Sequence, residues 1–190
     1  MKAIKSILPV LILLASCGDE KKETAAKPAQ SKLEAFTMNF IKENPNYEIN
    51  RLVQVEVGQK LKQEYFSKLN EGLISDYPLE LQEIQKVDGR NYAHFSEWGR
   101  DIAGVDTFRI SLDIICEVTN EAVDTLKEKA FYKIDGKNPK DIGDISTKYG
   151  TSFFNPNFEI KKGISGVNRV ASYGVIRLDL QSITSAPEIK

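Results

Sequence analysis

The sequence predicts an α+β fold, with N-terminal helices followed by an antiparallel sheet of five or six strands. Apolar residues recur at helical spacing only within about residues 32–75. Residues 78–185 instead show strand-like alternation, and Asp88-Gly89 marks a two-residue hairpin between the first two strands. Because a block of helices followed by a block of strands is typical of α+β domains, we expect one domain over residues 32–190.

The helical part begins with a clear start signal. Ser31 and Glu34 have the spacing of a capping box, and the predicted first helix ends at an Asn-Pro pair. A second helix is predicted over residues 59–71. Residues 51–57 fit either a strand, through alternating valines, or a helix interrupted at Gly58, and we favour the helix.

The strand part is clearest over residues 108–118, where apolar and polar side chains alternate so that one face belongs to the core. A short helix capped by Asn120 follows, and then a strand over residues 131–134 that Asp135-Gly136 turns. The last two strands are predicted over residues 158–161 and 175–183.

The order of these β-rich elements resembles an OB-fold, a small and partly open Greek-key barrel. The resemblance covers roughly residues 78–185 and rests on element order and spacing, with no signature motif. It implies a binding module for oligosaccharide or peptide, with a concave sheet face that bears exposed aromatic side chains. A one-sheet α+β sandwich is the competing architecture.

The first 17 residues have the organisation of a secretory leader. Two lysines precede an apolar run over residues 7–14, which is too short to span a bilayer as a helix. The run closes with Leu-Ala-Ser-Cys, which resembles the lipobox of bacterial lipoproteins. The resemblance implies that residues 1–16 are a signal peptide and that the thiol of Cys17 is the lipid attachment site.

The segment after Cys17 predicts how the domain is held in the envelope. Residues 17–31 lack large apolar side chains, which predicts a flexible tether between the lipid and the domain. Gly18 stands where lipoproteins of the inner membrane carry Asp, so the resemblance to lipoproteins implies the outer membrane. Asp19-Glu20 resembles the acidic export signal of Bacteroidota surface lipoproteins, and the periplasmic and surface faces both stay open. The predicted membrane partner is therefore reached through the lipid on Cys17.

The charge of the chain argues against nucleic acid as a partner, and its cysteine content argues against an intramolecular disulfide. The chain has 26 basic and 27 acidic residues, and loss of the leader would leave 24 against 27, a net charge near −3. Because phosphate backbones attract basic surfaces, nucleic acid is not an expected partner. Once Cys17 carries lipid, Cys116 is the one remaining thiol, so no intramolecular disulfide forms. Its apolar neighbours predict a buried, unreactive side chain.

His94 is the only histidine, which excludes a site with two or three histidine ligands within one chain. No Gly-x-Ser-x-Gly elbow marks a nucleophile, so a structural or surface role is favoured. The alternative is a small hydrolase or glycan-active enzyme in which His94 and a loop carboxylate act as acid and base. Asp141 and Asp144 fit turn chemistry better than an ion site, and no metal or cofactor is predicted.

The densest aromatic cluster surrounds an Asn-Pro-Asn turn and comprises Tyr149, Phe153, Phe154 and Phe158. If exposed, the cluster is a binding surface for a glycan or for an envelope protein, and if buried it is a second small core. The sequence therefore predicts a lipid-anchored envelope protein with a non-catalytic binding or structural domain. These four aromatic residues are its candidate binding site.

Overall fold

Helices come first in the chain and strands afterwards, as the sequence predicts. The structure is a computed structural model that describes residues 30–47, 49–102, 108–138, 159–162 and 169–187, with the backbone alone at 98–102, 161–162 and 169. Its elements are α1 (Lys32–Glu43), α2 (Arg51–Leu69), β1 (Pro78–Val87), β2 (Arg90–Ile102), β3 (Phe108–Val118), α3 (Asn120–Val123), β4 (Phe131–Lys137), β5 (Glu159–Lys162) and β6 (Arg169–Ala186). The predicted α+β class is confirmed.

Five of the strands form a closed barrel. Around the ring the order is β1, β2, β3, β6, β4 and back to β1, while β5 lies outside the ring and pairs only with β6. β3 and β6 run parallel, and the other neighbouring strands of the ring run antiparallel. The architecture is thus an OB-like barrel with an extra strand and helices.

The closure differs in detail from the sheet that the sequence predicts. The sequence indicated antiparallel pairing and a partly open barrel, beginning the last strand at residue 175, whereas β6 begins at Arg169 and is 18 residues long. Its first half pairs with β3 and its second half pairs with β4. The β3–β6 register shifts next to Gly174, whose φ of +68° suits a bulge. The long strand β6 therefore joins the edge of β3 to the edge of β4 and so closes the barrel.

The first hairpin confirms the turn signal in the sequence. Asp88 and Gly89 connect β1 to β2 and both have positive φ, +50° and +81°. Positive φ at both central residues is the requirement of a type I′ turn, whose twist matches that of the flanking strands. The side chain register of β1 against β2 follows from this turn, with Val87 opposite Arg90.

The barrel interior is filled by alternate side chains of its strands. β3 covers residues 108–118, as the sequence predicts. Its even-numbered residues are buried, also as expected. These side chains join inward residues of the other strands in one hydrophobic cluster, which includes Leu79, Leu81, Ala93, Phe95, Phe108, Ile110, Leu112, Ile114, Tyr132, Ile134, Tyr173, Ile176 and Leu178. A core of side chains occupies the space that a wider barrel would leave for a ligand.

The two long helices confirm the predicted starts and correct one break. Ser31 and Glu34 form the capping box of α1. α2 is continuous from Arg51, capped by the side chain of Asn50, so the helical interpretation of residues 51–57 is confirmed. The interruption predicted at Gly58 is wrong. A glycine inside a helix costs about 1 kcal/mol, but the Asn50 cap and the packing of the buried side of α2 outweigh that cost. Among the helices described, none is long and apolar enough to cross a membrane.

Two predictions between β3 and β6 are also wrong. Thr119, and not Asn120, caps α3, which is a short helix that ends at Val123. Asp135-Gly136 does not turn the chain but continues β4 through a bulge. At Gly136 the chain approaches β6 so closely that an added Cβ would overlap the Leu178 side chain and lie 2.7 Å from the Asp179 carbonyl oxygen. Glycine is required there by this approach and not by a turn.

Candidate functional site

The sequence-predicted site residues divide into those that the structure describes and those that lie outside it. His94 and Cys116 are described. The predicted lipid attachment site, the loop aspartates and the aromatic cluster lie outside the described residues and stay predictions: Cys17, Asp141, Asp144, Tyr149, Phe153, Phe154 and Phe158.

His94 pairs with an acidic residue of the neighbouring strand. Its Nε2 lies 2.9 Å from Oδ1 of Asp113, and the two side chains are 22% and 14% exposed. His94 lies opposite Ile115 in the β2–β3 register, and Ser96 lies opposite Asp113, so the two residues are diagonal neighbours on one face. That face points away from the barrel interior, because the intervening residues of β2 belong to the core.

One ring nitrogen of His94 contacts Asp113 and the other is buried. A carboxylate only accepts hydrogen bonds, so Nε2 is the donor to Asp113. The Nδ1 atom is buried and has no hydrogen-bond partner among the described residues. A general base needs an accessible nitrogen within hydrogen-bond distance of the proton it removes. The observed arrangement holds the imidazole in place and does not present it to a substrate.

A small apolar cluster lies beside this pair on the same outer face. Tyr92 and Ile115 are 7% and 1% exposed and form a second hydrophobic cluster, against which Val87 and Val175 pack. We call this surface, defined by Tyr92, His94, Asp113 and Ile115, the β2–β3 outer face. The sequence predicted that only the even-numbered side of β3 belongs to a core, so the burial of Ile115 is an additional finding.

Charged residues border the β2–β3 outer face without giving it one sign. Arg90 and Glu117 form an exposed ion pair with 3.4 Å between Nη1 and Oε2. Arg177 lies opposite Ile115 in the parallel register of β3 and β6, and Glu83 lies opposite His94 on β1. The border therefore alternates in charge, which is unlike the basic stripe of a nucleic-acid interface.

The aromatic side chains in the described part of the chain do not form an exposed stacking surface. All of them are buried or half-buried. The large apolar side chains that are exposed there are instead aliphatic, and they lie at the beginning of α2: Ile49, Leu52 and Val55. The exposed aromatics that an OB-like binding face implies are therefore absent among the strand side chains that the structure describes, which do not include Trp98.

Cys116 is a buried free thiol on β3, as predicted. Burial raises its pKa to about 12, which keeps the side chain as the unreactive thiol at neutral pH. Among the residues that the structure describes, His, Cys, Asp and Glu side chains form no group of three or more that could hold a metal ion.

Sequence reasoning missed Asp113 as the partner of His94. The alternation in β3 placed Asp113 on the outward side, but the sequence gives no turn signal that would fix the register between β2 and β3. The alternative hypothesis expected a loop carboxylate beside His94, and the carboxylate found there belongs to a strand. A tight turn between β2 and β3 would have been the signal that made this pair predictable.

Comparison of the chain with protein-family models, with curated proteins and with solved structures found no match. The interpretation of the barrel therefore depends on its own strand order and side chains.

Proposed function

We propose that this chain is a lipid-anchored protein of the bacterial cell envelope whose barrel domain binds a partner without catalysing a reaction. The observation that carries the binding role is the closed OB-like barrel with its interior filled by side chains. A ligand of such a barrel contacts the outside of the strands and the loops that border them. The lipid anchor is proposed from the lipobox residues that end at Cys17.

The chain between β4 and β6 is the proposed principal contact region. In OB-folds the outer face of the second and third strands binds together with the loops after the first and fourth strands. Here the first of these loops is the two-residue turn at Asp88-Gly89, which offers little surface. The second connection corresponds to residues 138–168, which include β5 and, in the sequence, the aromatic cluster of Tyr149, Phe153, Phe154 and Phe158. Aromatic side chains suit stacking on sugar rings or filling pockets of a protein partner.

The non-catalytic part of the proposal is supported by His94. Its Nε2 is engaged by Asp113 and its Nδ1 is buried, so the only histidine of the chain is poorly placed for acid–base work. The mixed charges around the β2–β3 outer face and the net charge near −3 support an oligosaccharide or a peptide over nucleic acid. The proposed partner is accordingly a glycan or a protein of the envelope.

The anchor is tested by metabolic labelling with radioactive palmitate. We expect label in the wild-type protein and none in Cys17→Ser. Cys116→Ala is the matched control, because it also removes one thiol but should keep the label. Equal labelling of wild type and Cys17→Ser, or labelling of neither, would contradict the proposed anchor.

Binding is tested by crosslinking in intact cells and identification of the attached envelope components. We expect Phe153→Ala/Phe154→Ala to lose its crosslinked partners while keeping the circular dichroism spectrum and melting temperature of the wild type. A matched double substitution of exposed β6 residues, Gln181→Ala/Ser182→Ala, should keep the partners. Loss of folding in the aromatic variant would assign both phenylalanines to the core, and retention of all partners would refute this binding site.

A second candidate function is a small envelope hydrolase, favoured by the 2.9 Å contact between His94 and Asp113. Such an enzyme would need a rearrangement that exposes one imidazole nitrogen to its substrate. The test is turnover of ester and glycoside substrates by the purified chain. Activity that disappears in both His94→Gln and Asp113→Asn would replace the binding proposal with this one.

A further inference from the structure

The exposed apolar side chains of the described region are concentrated at one place, the beginning of α2. Ile49, Leu52 and Val55 are 66%, 68% and 54% exposed. They are spaced three residues apart, whereas the side of α2 that faces the core carries Gly58, Leu61, Tyr65 and Leu69. We call these three residues the α2 apolar edge. Single exposed apolar side chains are ordinary, but three at every third position, one just before the Asn50 cap and two in the first two turns of α2, form a patch that suggests an occupant.

We propose that the α2 apolar edge inserts into the surface of the bilayer to which the lipid on Cys17 holds the chain. The inference rests on the lipid anchor proposed above. It adds an orientation, because the domain would lie on the membrane with the start of α2 facing the lipid instead of moving freely at the end of its tether. The apolar faces of interfacial helices lie about 5–10 Å deep at the boundary between headgroups and acyl chains, and the α2 apolar edge would contact that same boundary.

The length of chain between Cys17 and α1 allows this orientation. Fifteen peptide units separate Cys17 from Lys32, and at about 3.3–3.6 Å each they reach roughly 50 Å. The backbone nitrogen of Lys32 lies 3.2 Å from both carboxylate oxygens of Asp76, so the tether enters the domain near the far end of α2. The distance back along α2 from Leu69 to Leu52 is about 25 Å, at 1.5 Å per residue. The tether is therefore about twice as long as the path it has to cover.

The charges near the edge favour insertion by apolar contact over attraction to anionic lipid. Arg51 and Lys42 are exposed there, but Glu43 and Glu56 are exposed beside them. Charges of both signs side by side give little net pull towards an anionic headgroup. The proposed occupant is thus the apolar boundary of the bilayer itself, and docking should depend little on the lipid charge.

A second copy of the chain is the competing occupant of this patch. A standard protein interface contains about 20–30 residues on each side, and three aliphatic side chains fall far short of that number. A lipid tether, in contrast, keeps the membrane at a high effective concentration next to the edge, so that even a weak contact is occupied. The size of the patch and the length of the tether together favour the bilayer.

The test measures the depth of a fluorescent label on the full acylated chain in phosphatidylcholine vesicles. An environment-sensitive label is attached to Leu52→Cys and, as matched control, to Gln63→Cys, which is exposed on the same helix three turns further on. Buried Cys116 should stay unlabelled in the folded protein. We expect brominated acyl chains to quench the label at position 52 at least three-fold more than the label at position 63. Replacing a third of the lipid with phosphatidylglycerol should leave this ratio unchanged.

The outcomes separate this inference from the anchor. If the chain floats with vesicles but both labels are quenched equally weakly, docking of the edge is overturned and the anchor stands. If the fluorescence of position 52 changes without vesicles and in proportion to protein concentration, the edge is a contact between copies and the inference is overturned. If the purified chain carries no lipid and does not float, both the anchor and the docking that depends on it fail.

Discussion

The hydroxyl oxygen of Thr37 lies 2.7 Å from the hydroxyl oxygen of Tyr173, and this buried contact joins α1 to β6. The ring of Tyr65, on α2, lies 5.0 Å from the ring of Tyr173. The long closing strand of the barrel is thus bonded to one helix and packed against the other. Helices and barrel share a single core, and the helical segment is part of the same folding unit.

Thr37→Val should destabilise the protein by about 1–2 kcal/mol, because it removes a buried hydroxyl while keeping the shape of the side chain. The measurement is the free energy of unfolding in urea. Thr184→Val, at an exposed position of β6, is the control and should change stability by no more than about 0.5 kcal/mol. Equal effects of the two substitutions would show that the contact between α1 and β6 contributes nothing specific.

Gly136→Ala should destabilise by about 1–3 kcal/mol, since the new methyl group overlaps Leu178 and forces β4 away from β6. Gly89→Ala separates steric overlap from backbone strain, because a Cβ at Gly89 meets nothing within 4 Å although φ is +81°. We expect the smaller loss, about 1 kcal/mol, at Gly89. A stability of Gly136→Ala equal to that of the wild type would mean that the two strands separate without penalty.

The pair of His94 and Asp113 should show a coupling free energy of about 1–2 kcal/mol in a double-mutant cycle with His94→Gln and Asp113→Asn. The exposed pair of Arg90 and Glu117 is the comparison, and solvent screening should make its coupling clearly the smaller of the two. Urea unfolding of the single and double variants gives both values. Additive effects at His94 and Asp113 would remove the structural role assigned to their contact.

Alkaline pH should destabilise the folded state through Cys116. Burial raises the pKa of its thiol from 9.0 to about 12, so above pH 9 the unfolded chain loses a proton that the folded chain keeps. Stability is therefore fully retained below about pH 9 and decreases as the pH rises towards 12. Burial also raises the pKa values of Tyr65 and Tyr173, and their effect has the same sign at higher pH.

The measurement is the urea midpoint from pH 7 to 11 for Cys17→Ser and for Cys17→Ser/Cys116→Ala. The alanine variant should have a lower midpoint at pH 7, because it leaves a cavity, but a flatter decline above pH 9. In Cys17→Ser, a thiol reagent at pH 8 should react only after unfolding. Rapid reaction of the folded protein would place Cys116 at the surface.

Local signals in the sequence predicted local structure well. Ser31 with Glu34 predicted the start of α1, and Asp88-Gly89 predicted the first hairpin, because a cap and a turn depend on residues only a few positions apart. The alternation from residue 108 to 118 predicted β3 with its inner face for the same reason. Local signals failed at Gly136. Glycine is needed there because a larger residue would overlap Leu178, which is more than forty positions away in the sequence.

Sequence by itself determined the order of helices before strands, the predicted lipid attachment at Cys17 and the exclusion of a multi-histidine metal site. Only the tertiary structure decided that β3 and β6 pair in parallel to close the barrel, that His94 contacts Asp113, and that Ile49, Leu52 and Val55 stay exposed together. The physical reason is the range of the interactions. Periodicity and caps depend on neighbouring residues, whereas register, closure and exposure depend on which distant segments the shared core brings together.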